Sequence, residues 1–307
     1  FVDYTDIAQH IFNRIPERYR LSHFDQETSF CGISIDVSGC RIDLLFPNTK
    51  EMKEFVHLDI ALIQVLLQNK LRLLAEAGVT FQNPDEQRSV IMILLLPHDN
   101  SAKQADSLGQ VIPFENPGEN PLALVELPVA HRAIYGHEIM HIIELQLSHG
   151  ISKSHTLTEG IASYYGDQDS LPHGDMARNF KTAVVRDWGN VLQKKLPDLP
   201  IDSLGLTGAS LAGFSPEENY NLNYLYGSLF VEFFIRHFGE EKLWRLHRMS
   251  TDNPNHLGEE DLVRKILADH PELLESDSRH YTVEDFRCAF EQHVRTQLDN
   301  SWKQRLG

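Results

Sequence analysis

The pattern of apolar and polar positions predicts that the first third of the chain mixes strands and helices. Residues 30 to 37 and 40 to 46 alternate apolar and polar positions around Ser38-Gly39, which predicts two strands joined by a turn. Residues 52 to 77 place apolar side chains at helical spacing and predict one long helix. Ser89 to Leu96 is a continuous apolar run, which is typical of a buried strand.

The same pattern becomes mainly helical in the second half of the chain. Residues 98 to 121 are rich in loop-forming residues, and Leu122 to Leu127 predicts a further strand. Apolar residues from Ile134 to Leu147 predict a helix, and Gly150 is its expected end. Beyond Asp169 the apolar spacing predicts helices over roughly 174–195, 216–238, 240–250, 259–269 and 283–304.

One turn sequence, Asn83-Pro84-Asp85, is the best candidate for a boundary between regions. We therefore predict an N-terminal α/β region over residues 1–84. The second predicted region covers residues 85–307 and is mostly helical after residue 130. The sequence contains no internal repeat or low-complexity tract that would change this division.

Composition and charge predict a soluble globular protein. The chain has 307 residues, of which 41% are hydrophobic and 23% charged, as is ordinary for a globular fold. Its longest apolar stretch, Val90 to Pro97, is too short to cross a bilayer, so we expect no membrane-spanning segment. The net charge of -16 argues against a nucleic-acid partner, because such proteins present a basic surface.

Neither the first residues nor the cysteines decide whether the protein is cytoplasmic or exported. No signal-peptide pattern is found at the first residues, and because the chain begins with Phe1 we expect an upstream segment to have been trimmed. Cys31 and Cys40 could pair in an oxidising compartment, or they serve as small apolar residues of a hairpin. With Cys288 the chain has three cysteines, an odd number that does not indicate a disulfide scaffold. The sequence does not decide the oligomeric state.

The segment His137-Glu138-Ile139-Met140-His141 predicts a metal site. On a helix, residues four apart lie on one face, so both imidazoles can reach one tetrahedral Zn2+ ion. Glu138 would then lie beside the water that such an ion holds, where a general base is required. The alternative is an ordinary amphipathic helix that happens to carry two histidines.

A glutamate further along the chain, Glu159, is the expected third ligand. A catalytic zinc usually has three protein ligands and one open position for water, and two histidines with a glutamate form such a set. The small residues Gly160 and Ala162 would allow close helix approach near the metal. The alternative is a capping box, in which Thr156 is the N-cap and Glu159 folds back onto its amide.

These motifs together make the chain similar to the gluzincin zinc metallopeptidases, within the peptidase MA-like family. The resemblance covers roughly residues 88 to 245 and rests on the three motifs His137-Glu138-x-x-His141, Thr158-Glu159-Gly160-Ile161-Ala162-Ser163-Tyr164 and Tyr224-Leu225-Tyr226-Gly227. It implies peptide-bond hydrolysis at zinc, with His137, His141 and Glu159 as ligands. It also implies Glu138 as the general base.

The resemblance further implies a fold and additional roles. The expected fold class is α+β, a two-lobed zincin-like metallopeptidase whose mixed α/β N-terminal lobe and helical C-terminal lobe flank an active-site cleft. Tyr224 is the expected oxyanion donor and Tyr226 its competitor, although Tyr220 and Tyr224 could simply pack along one helix face. Leu122 to Leu127 is the expected substrate-binding edge strand, or an ordinary sheet edge.

One position departs from the family pattern. Many gluzincins carry an acidic residue one turn after the glutamate ligand, and this chain has Ser163 there. Ligating histidines need a hydrogen-bond acceptor for their second ring nitrogen. Since position 163 is not acidic, the sequence does not identify that acceptor.

The expected activity is a zinc-dependent endopeptidase that acts on a peptide or protein substrate. A zinc aminopeptidase is the first alternative. Gluzincin aminopeptidases carry a Gly-x-Met-Glu-Asn motif upstream of the zinc helix, and its glutamate binds the free amino group of the substrate. Glu115 and Glu119, each followed by Asn-Pro, match that motif in part. Turn formation explains those pairs equally well. The second alternative is a catalytically silent peptidase-like binding protein, against which the intact Glu138 argues.

Overall fold

A computed structural model of the chain describes most of the predicted elements. It covers residues 2–3, 5–6, 29–81, 90–95, 110–113, 123–128, 135–148, 152, 154–166, 216–251, 262–276 and 279–306. The chain divides into two compact units, the first formed by Phe1–Glu76 with Thr80–Gly150 and the second by Ala77–Val79 with Ile151–Gly307. The predicted boundary at residues 83–85 lies outside the described residues.

The first unit combines a mixed sheet with two helices. Its elements are β1 (Val2–Asp3), β2 (Phe30–Val37), β3 (Cys40–Pro47), α1 (Lys50–Glu76), β4 (Val90–Leu95), β5 (Gln110–Pro113), β6 (Ala123–Pro128) and α2 (Tyr135–Ser148). The strands form one six-stranded sheet in the order β1-β2-β3-β4-β6-β5. β4 runs parallel to both β3 and β6, and the other neighbouring strands are antiparallel.

The predicted hairpin of β2 and β3 is confirmed. Val37 and Cys40 are directly opposite, so Ser38 and Gly39 form a two-residue connection. Both residues have positive φ, 51° at Ser38 and 89° at Gly39, which is the backbone of the type I′ turn that suits twisted strands. Cys40 is fully buried, in keeping with its interpretation as a small apolar residue.

The predicted long helix is also confirmed, as α1. It begins after Thr49, whose hydroxyl accepts a hydrogen bond from the Met52 amide at 3.1 Å and so caps the helix N-terminus. Apolar side chains at helical spacing, including Val56, Ile63 and Leu67, are fully buried. Helical periodicity therefore gives α1 one face that belongs to the core of the first unit.

The region expected to be loop-rich contains a strand, β5. It pairs antiparallel with β6 from Gln110 opposite Glu126 to Pro113 opposite Ala123. Since β4 pairs with the other side of β6, that strand is internal to the described sheet. The prediction that Leu122 to Leu127 forms a sheet edge is therefore wrong. A four-residue strand that ends in proline gives too short an alternating pattern to be recognised from sequence.

The second unit is mainly helical in its described part. Its elements are α3 (His155–Gly166), α4 (Pro216–Phe238), α5 (Glu240–Thr251), α6 (Leu262–Asp269), a 3-10 turn (Pro271–Leu274), β7 (Glu275–Ser276), β8 (Arg279–His280) and α7 (Val283–Leu306). The four helices predicted between residues 216 and 304 are confirmed, with small changes at their ends. The helix predicted over 174–195 lies outside the described residues.

Aromatic packing between α4 and α7 forms a large part of the core of the second unit. Phe230 and Phe233 of α4 both contact Phe286 and Phe290 of α7, with ring centroids between 5.5 and 5.7 Å apart. Such edge-on and tilted pairs stabilise a core beyond the area that they bury. The packing fixes the rotation of α4, which carries the third motif of the sequence.

The fold thus contains both α and β structure, as the sequence predicts, with the sheet in the first unit and mainly helices in the second. Among the described helices, none combines the length and apolar character needed to cross a bilayer.

The turn between β2 and β3 yields a stability prediction. We expect Gly39→Ala to lower the free energy of unfolding by about 1–2 kcal/mol, because a Cβ disfavours positive φ. Ser38→Asn should raise it by about 0.5 kcal/mol, since asparagine tolerates this conformation and Asn-Gly is the preferred pair in type I′ turns. Urea denaturation followed by circular dichroism measures both changes. A neutral Gly39→Ala would contradict the turn assignment.

Candidate metal centre

The helix α2 carries the histidine motif and is fixed near its start by a buried hydrogen bond. The Tyr135 hydroxyl donates to the Asp59 carboxylate of α1 at 2.9 Å, and both residues are fully buried. A buried carboxylate is tolerated only when it accepts hydrogen bonds, so this contact constrains the position of α2 against α1. It spans 76 residues of sequence, and no local pattern predicts it.

Near its other end α2 is fixed to the sheet by Gln146. The Arg41 amide donates to Gln146 Oε1 at 3.1 Å, and Gln146 Nε2 donates to the Arg41 carbonyl at 2.6 Å. Parallel pairing of β3 with β4 begins one residue later, at Ile42 opposite Val90. The side-chain amide therefore satisfies backbone groups of Arg41 just before that pairing begins.

Between these two contacts the paired histidines face each other. His137 Nε2 and His141 Nε2 are 3.0 Å apart, and the two rings are nearly perpendicular. His141 is buried and His137 is partly exposed. The predicted helical spacing thus brings two nitrogen donors to one point on the helix surface, as the motif requires.

Two carboxylates accompany the histidines on α2. Glu138, the predicted base, is 7% exposed, and Glu144 is 2% exposed. Glu144 Oε2 lies 2.9 Å from His141 Nδ1, one helical turn away. The sequence analysis did not single out Glu144. Its signal was an acidic residue within the apolar segment Ile142-Ile143-Glu144-Leu145, where an unpartnered charge would be costly.

The helix α3 carries Glu159, and the position of its N-cap tests whether Glu159 belongs to a capping box. Ser154 Oγ accepts a hydrogen bond from the Leu157 amide at 3.2 Å, and the Ser154 carbonyl accepts one from the Thr158 amide. The helix N-cap is therefore Ser154, and Thr156 lies inside the first turn. Glu159 is two residues beyond the third helical position that a capping box requires.

A reciprocal capping box does exist in the described part of the chain, at the start of α7. The Asp285 amide donates to Thr282 Oγ1 at 3.1 Å, and the Thr282 amide donates to Asp285 Oδ2 at 3.1 Å. Thr156 and Glu159 share this sequence spacing, but their helix begins earlier. The capping interpretation of Glu159 is therefore wrong.

The segment before α3 is held by a chain of serine hydroxyls within the second unit. Ser152 Oγ hydrogen-bonds the hydroxyl of Ser250 in α5 and accepts from the Ser154 amide. The Ser250 hydroxyl also bonds the His247 carbonyl. These buried contacts set where α3 begins, and therefore how far along the helix Glu159 lies.

The helices α3 and α4 approach each other at two glycines, Gly160 and Gly227. A Cβ added to Gly160 would lie 2.9 Å from the Gly227 Cα, and one added to Gly227 would lie 2.7 Å from the Thr156 carbonyl oxygen. Neither position can accept a side chain without moving backbone. The close approach at Gly160 is made to α4, whereas the sequence predicted it toward the histidine helix, and that prediction stays a prediction. The approach joins the second sequence motif, which contains Glu159, to the third.

Of the two candidate tyrosines of α4, Tyr226 is the one whose side chain the structure describes. Tyr226 is 3% exposed, and its ring packs edge-on against Phe290 at 5.1 Å. It therefore belongs to the aromatic core between α4 and α7. Tyr224 lies in α4 three positions before Gly227, and neither its side chain nor that of Tyr220 is among those described. Helical spacing assigns position 224 to the face of α4 that Gly227 occupies.

Three of the predicted residues form a group with metal-ligand chemistry. One ligand atom from each of His137, His141 and Glu159 lies within 4.8 Å of the other two. Two nitrogens bound to tetrahedral zinc at 2.0–2.1 Å are about 3.3 Å apart, close to the 3.0 Å between the imidazoles. Two neutral imidazoles and one carboxylate therefore suit a divalent cation that accepts both nitrogen and oxygen ligands.

No protein-family model and no curated protein matches this sequence. The chemistry of the site therefore rests on the residues themselves.

The close approach of Gly160 and Gly227 yields the second prediction. We expect Gly227→Ala to lower the free energy of unfolding by about 1–3 kcal/mol, because a side chain there would force α3 and α4 apart. If Glu159 is a ligand, as the resemblance implies, the same change should also weaken zinc binding, because Glu159 moves with α3. Thermal denaturation and a zinc titration measure the two effects.

Gly239→Ala is the matched control for this prediction. Gly239 has φ of 89°, but an added Cβ would meet nothing within 4 Å. Its replacement should cost stability through backbone strain alone and leave zinc affinity unchanged. Equal zinc affinities for both variants would contradict the role given to the glycine pair.

Proposed function

We propose that the protein is a zinc-dependent peptidase of the gluzincin type, with His137, His141 and Glu159 as the metal ligands. The observation that carries this proposal is the meeting of the two imidazole nitrogens at 3.0 Å, with a Glu159 oxygen in the same group of ligand atoms. Three protein ligands leave the fourth zinc position open, which distinguishes a catalytic site from a structural one.

The donor set favours zinc on chemical grounds. Imidazole is a strong ligand for zinc, whereas magnesium and calcium prefer sites made of oxygen atoms alone. The described residues of this group include no thiolate, which would favour softer metals. When bound, zinc supplies Lewis acidity, which activates water for attack and polarises a carbonyl.

Glu138 acts as the general base in this proposal. It is adjacent to the ligand His137 on α2 and is largely buried, so its carboxylate is shielded from bulk solvent. It accepts a proton from the attacking water and transfers that proton to the leaving amine. Position and burial both suit a group that must hold and release one proton in each turnover.

Tyr224 is the proposed donor to the oxyanion. Tyr226 is committed to the aromatic core, which leaves Tyr224 as the tyrosine of the third motif. Its helix is held against α3 by the glycine pair, so position 224 is constrained relative to Glu159. A phenol donates a hydrogen bond where negative charge develops on the carbonyl oxygen, a contribution of about 3 kcal/mol in comparable sites.

The two-lobed zincin-like architecture is part of the proposal, and the content of the two compact units supports it. The first combines the sheet with α2, and the second is mainly helical and contains Glu159. Cleavage within a chain is the proposed activity. Glu115 and Glu119, on which the aminopeptidase alternative depends, lie outside the described residues.

Metal content tests the ligand set directly. We expect purified protein supplied with zinc to hold about one ion per chain and Glu159→Ala to hold far less, as elemental analysis after dialysis would show. Glu241→Ala is a matched control, because Glu241 is an exposed glutamate of the same unit. Equal zinc in all three proteins would exclude Glu159 as a ligand. A wild-type protein without zinc would overturn the enzyme proposal.

Activity tests the base. With quenched fluorescent peptide libraries as substrate, Glu138→Gln should retain zinc and fold while turnover falls by about 10²- to 10⁴-fold, since an amide cannot accept the proton. Glu241→Gln makes the same chemical change at an exposed residue that is not in the ligand group, and this variant should be fully active. Near-native turnover by Glu138→Gln would show that another group is the base.

N-acetylated and free libraries separate the two kinds of peptidase. An endopeptidase cleaves both, whereas an aminopeptidase requires the free amine. Zinc-loaded wild type that cleaves neither library would favour the catalytically silent binding protein.

A further inference from the structure

Glu144 is a buried acidic residue that the proposed reaction does not use. It is 2% exposed and lies on α2 within one helical turn of His141. With His137 and His141 it occupies positions i, i+4 and i+7, which share one face of a helix. Burial of a carboxylate is unfavourable unless a specific contact compensates for it, so its presence here calls for a physical reason.

The contact that Glu144 makes determines which nitrogen of His141 carries hydrogen. Glu144 Oε2 is 2.9 Å from His141 Nδ1. An ionised carboxylate only accepts hydrogen bonds, so Nδ1 must be the donor. In a neutral imidazole the other nitrogen, Nε2, then keeps its lone pair, and it is this atom that faces His137 Nε2 at 3.0 Å.

We propose that Glu144 is a positioning residue that holds His141 as the Nδ1–H tautomer and directs Nε2 toward the metal. The inference rests on the proposed function, because the lone pair at Nε2 is useful only if a cation binds there. The contact also restricts rotation of the imidazole ring, and it increases the basicity of the ligand nitrogen. Glu144 itself touches neither the metal nor the substrate in this arrangement.

Glu144 supplies the acidic acceptor that is absent at Ser163. The sequence offered no acidic residue at the position where similar enzymes carry one, and Ser163 lies on α3 in the second unit. Glu144 provides an acceptor on the same helix as the histidine that it holds. Both partners of this contact therefore lie on α2.

The first measurement is the tautomer of His141 in metal-free protein labelled with 15N-histidine. We expect nitrogen chemical shifts of the Nδ1–H form in the wild type and in Gln146→Ala. Glu144→Leu should lose that form, because the carboxylate that accepts from Nδ1 is removed. The Gln146 control also removes a buried polar side chain from α2, but its hydrogen bonds go to the Arg41 backbone. An unchanged His141 tautomer in Glu144→Leu would overturn the proposal.

The second measurement is zinc affinity by competition with a chromophoric chelator. We expect about 10- to 100-fold weaker binding for Glu144→Leu, which is the usual effect of losing such a contact. Glu144→Gln should recover part of that loss, since its amide oxygen still accepts from Nδ1. Gln146→Ala should bind zinc as the wild type does. Equal affinity of folded Glu144→Leu and wild type would contradict the positioning role.

The two measurements separate the possible failures. A wild-type protein that binds no zinc would end the proposed function, and the role of Glu144 toward a metal would end with it. The tautomer comparison would still decide whether Glu144 fixes the His141 ring. Zinc binding that is intact in the wild type and insensitive to Glu144 would leave the proposed function standing and remove this inference alone.

Discussion

The buried polar groups of α2 are the constraint on which the candidate site depends. A helix that is buried over nearly its whole length must supply a partner for each polar side chain, because an unsatisfied group costs about 1–3 kcal/mol. Tyr135 meets this requirement against α1, and Gln146 meets it against the backbone of β3. Near the middle of the same helix Glu144 Oε2 is paired with His141 Nδ1. The helix is thus fixed at both ends while its centre presents two ring nitrogens.

In the second unit, contact between two glycines has a comparable role. Gly160 and Gly227 bring backbone against backbone, and this approach requires that neither residue carry a side chain. It explains why both glycines occur within short motifs that carry Glu159 and Tyr224. A helix pair in such close contact cannot slide without a clash, so positions one turn away from the glycines are constrained as well.

Much of the fold could be predicted from periodicity. The hairpin, α1, α2 and the helices from α4 onward follow from apolar spacing and from local capping or turn residues. The strand β5 could not be predicted, because four residues ending at Pro113 give too little alternation. Its pairing with β6 is a long-range contact, and it overturned the expected sheet edge. The local pattern of apolar residues predicts which segments form helices and strands better than it predicts which strands pair.

The candidate site shows the same division between local and long-range information. His137, His141 and their spacing are readable because helix geometry alone brings them together. The alternative capping box placed the cap of α3 two residues too late, since Ser154 and Thr156 are both good N-cap residues and only the hydrogen bond to Leu157 decides between them. Glu144 was missed for a different reason. Its neighbours in sequence are apolar, and its contact with the ring depends on which side-chain rotamers the buried helix allows.

The contact between His141 and Glu144 has a consequence for the order of assembly. It closes over one helical turn, so it needs no long loop to close. The histidine pair is also synthesised before Glu159, which belongs to the other compact unit. Under the proposed ligand set, a nascent chain first offers a metal two nitrogens, of which the His141 nitrogen is held by Glu144. The third ligand arrives only when α3 has docked on α4, so tight metal retention becomes a late event of folding that reports the completion of the second unit.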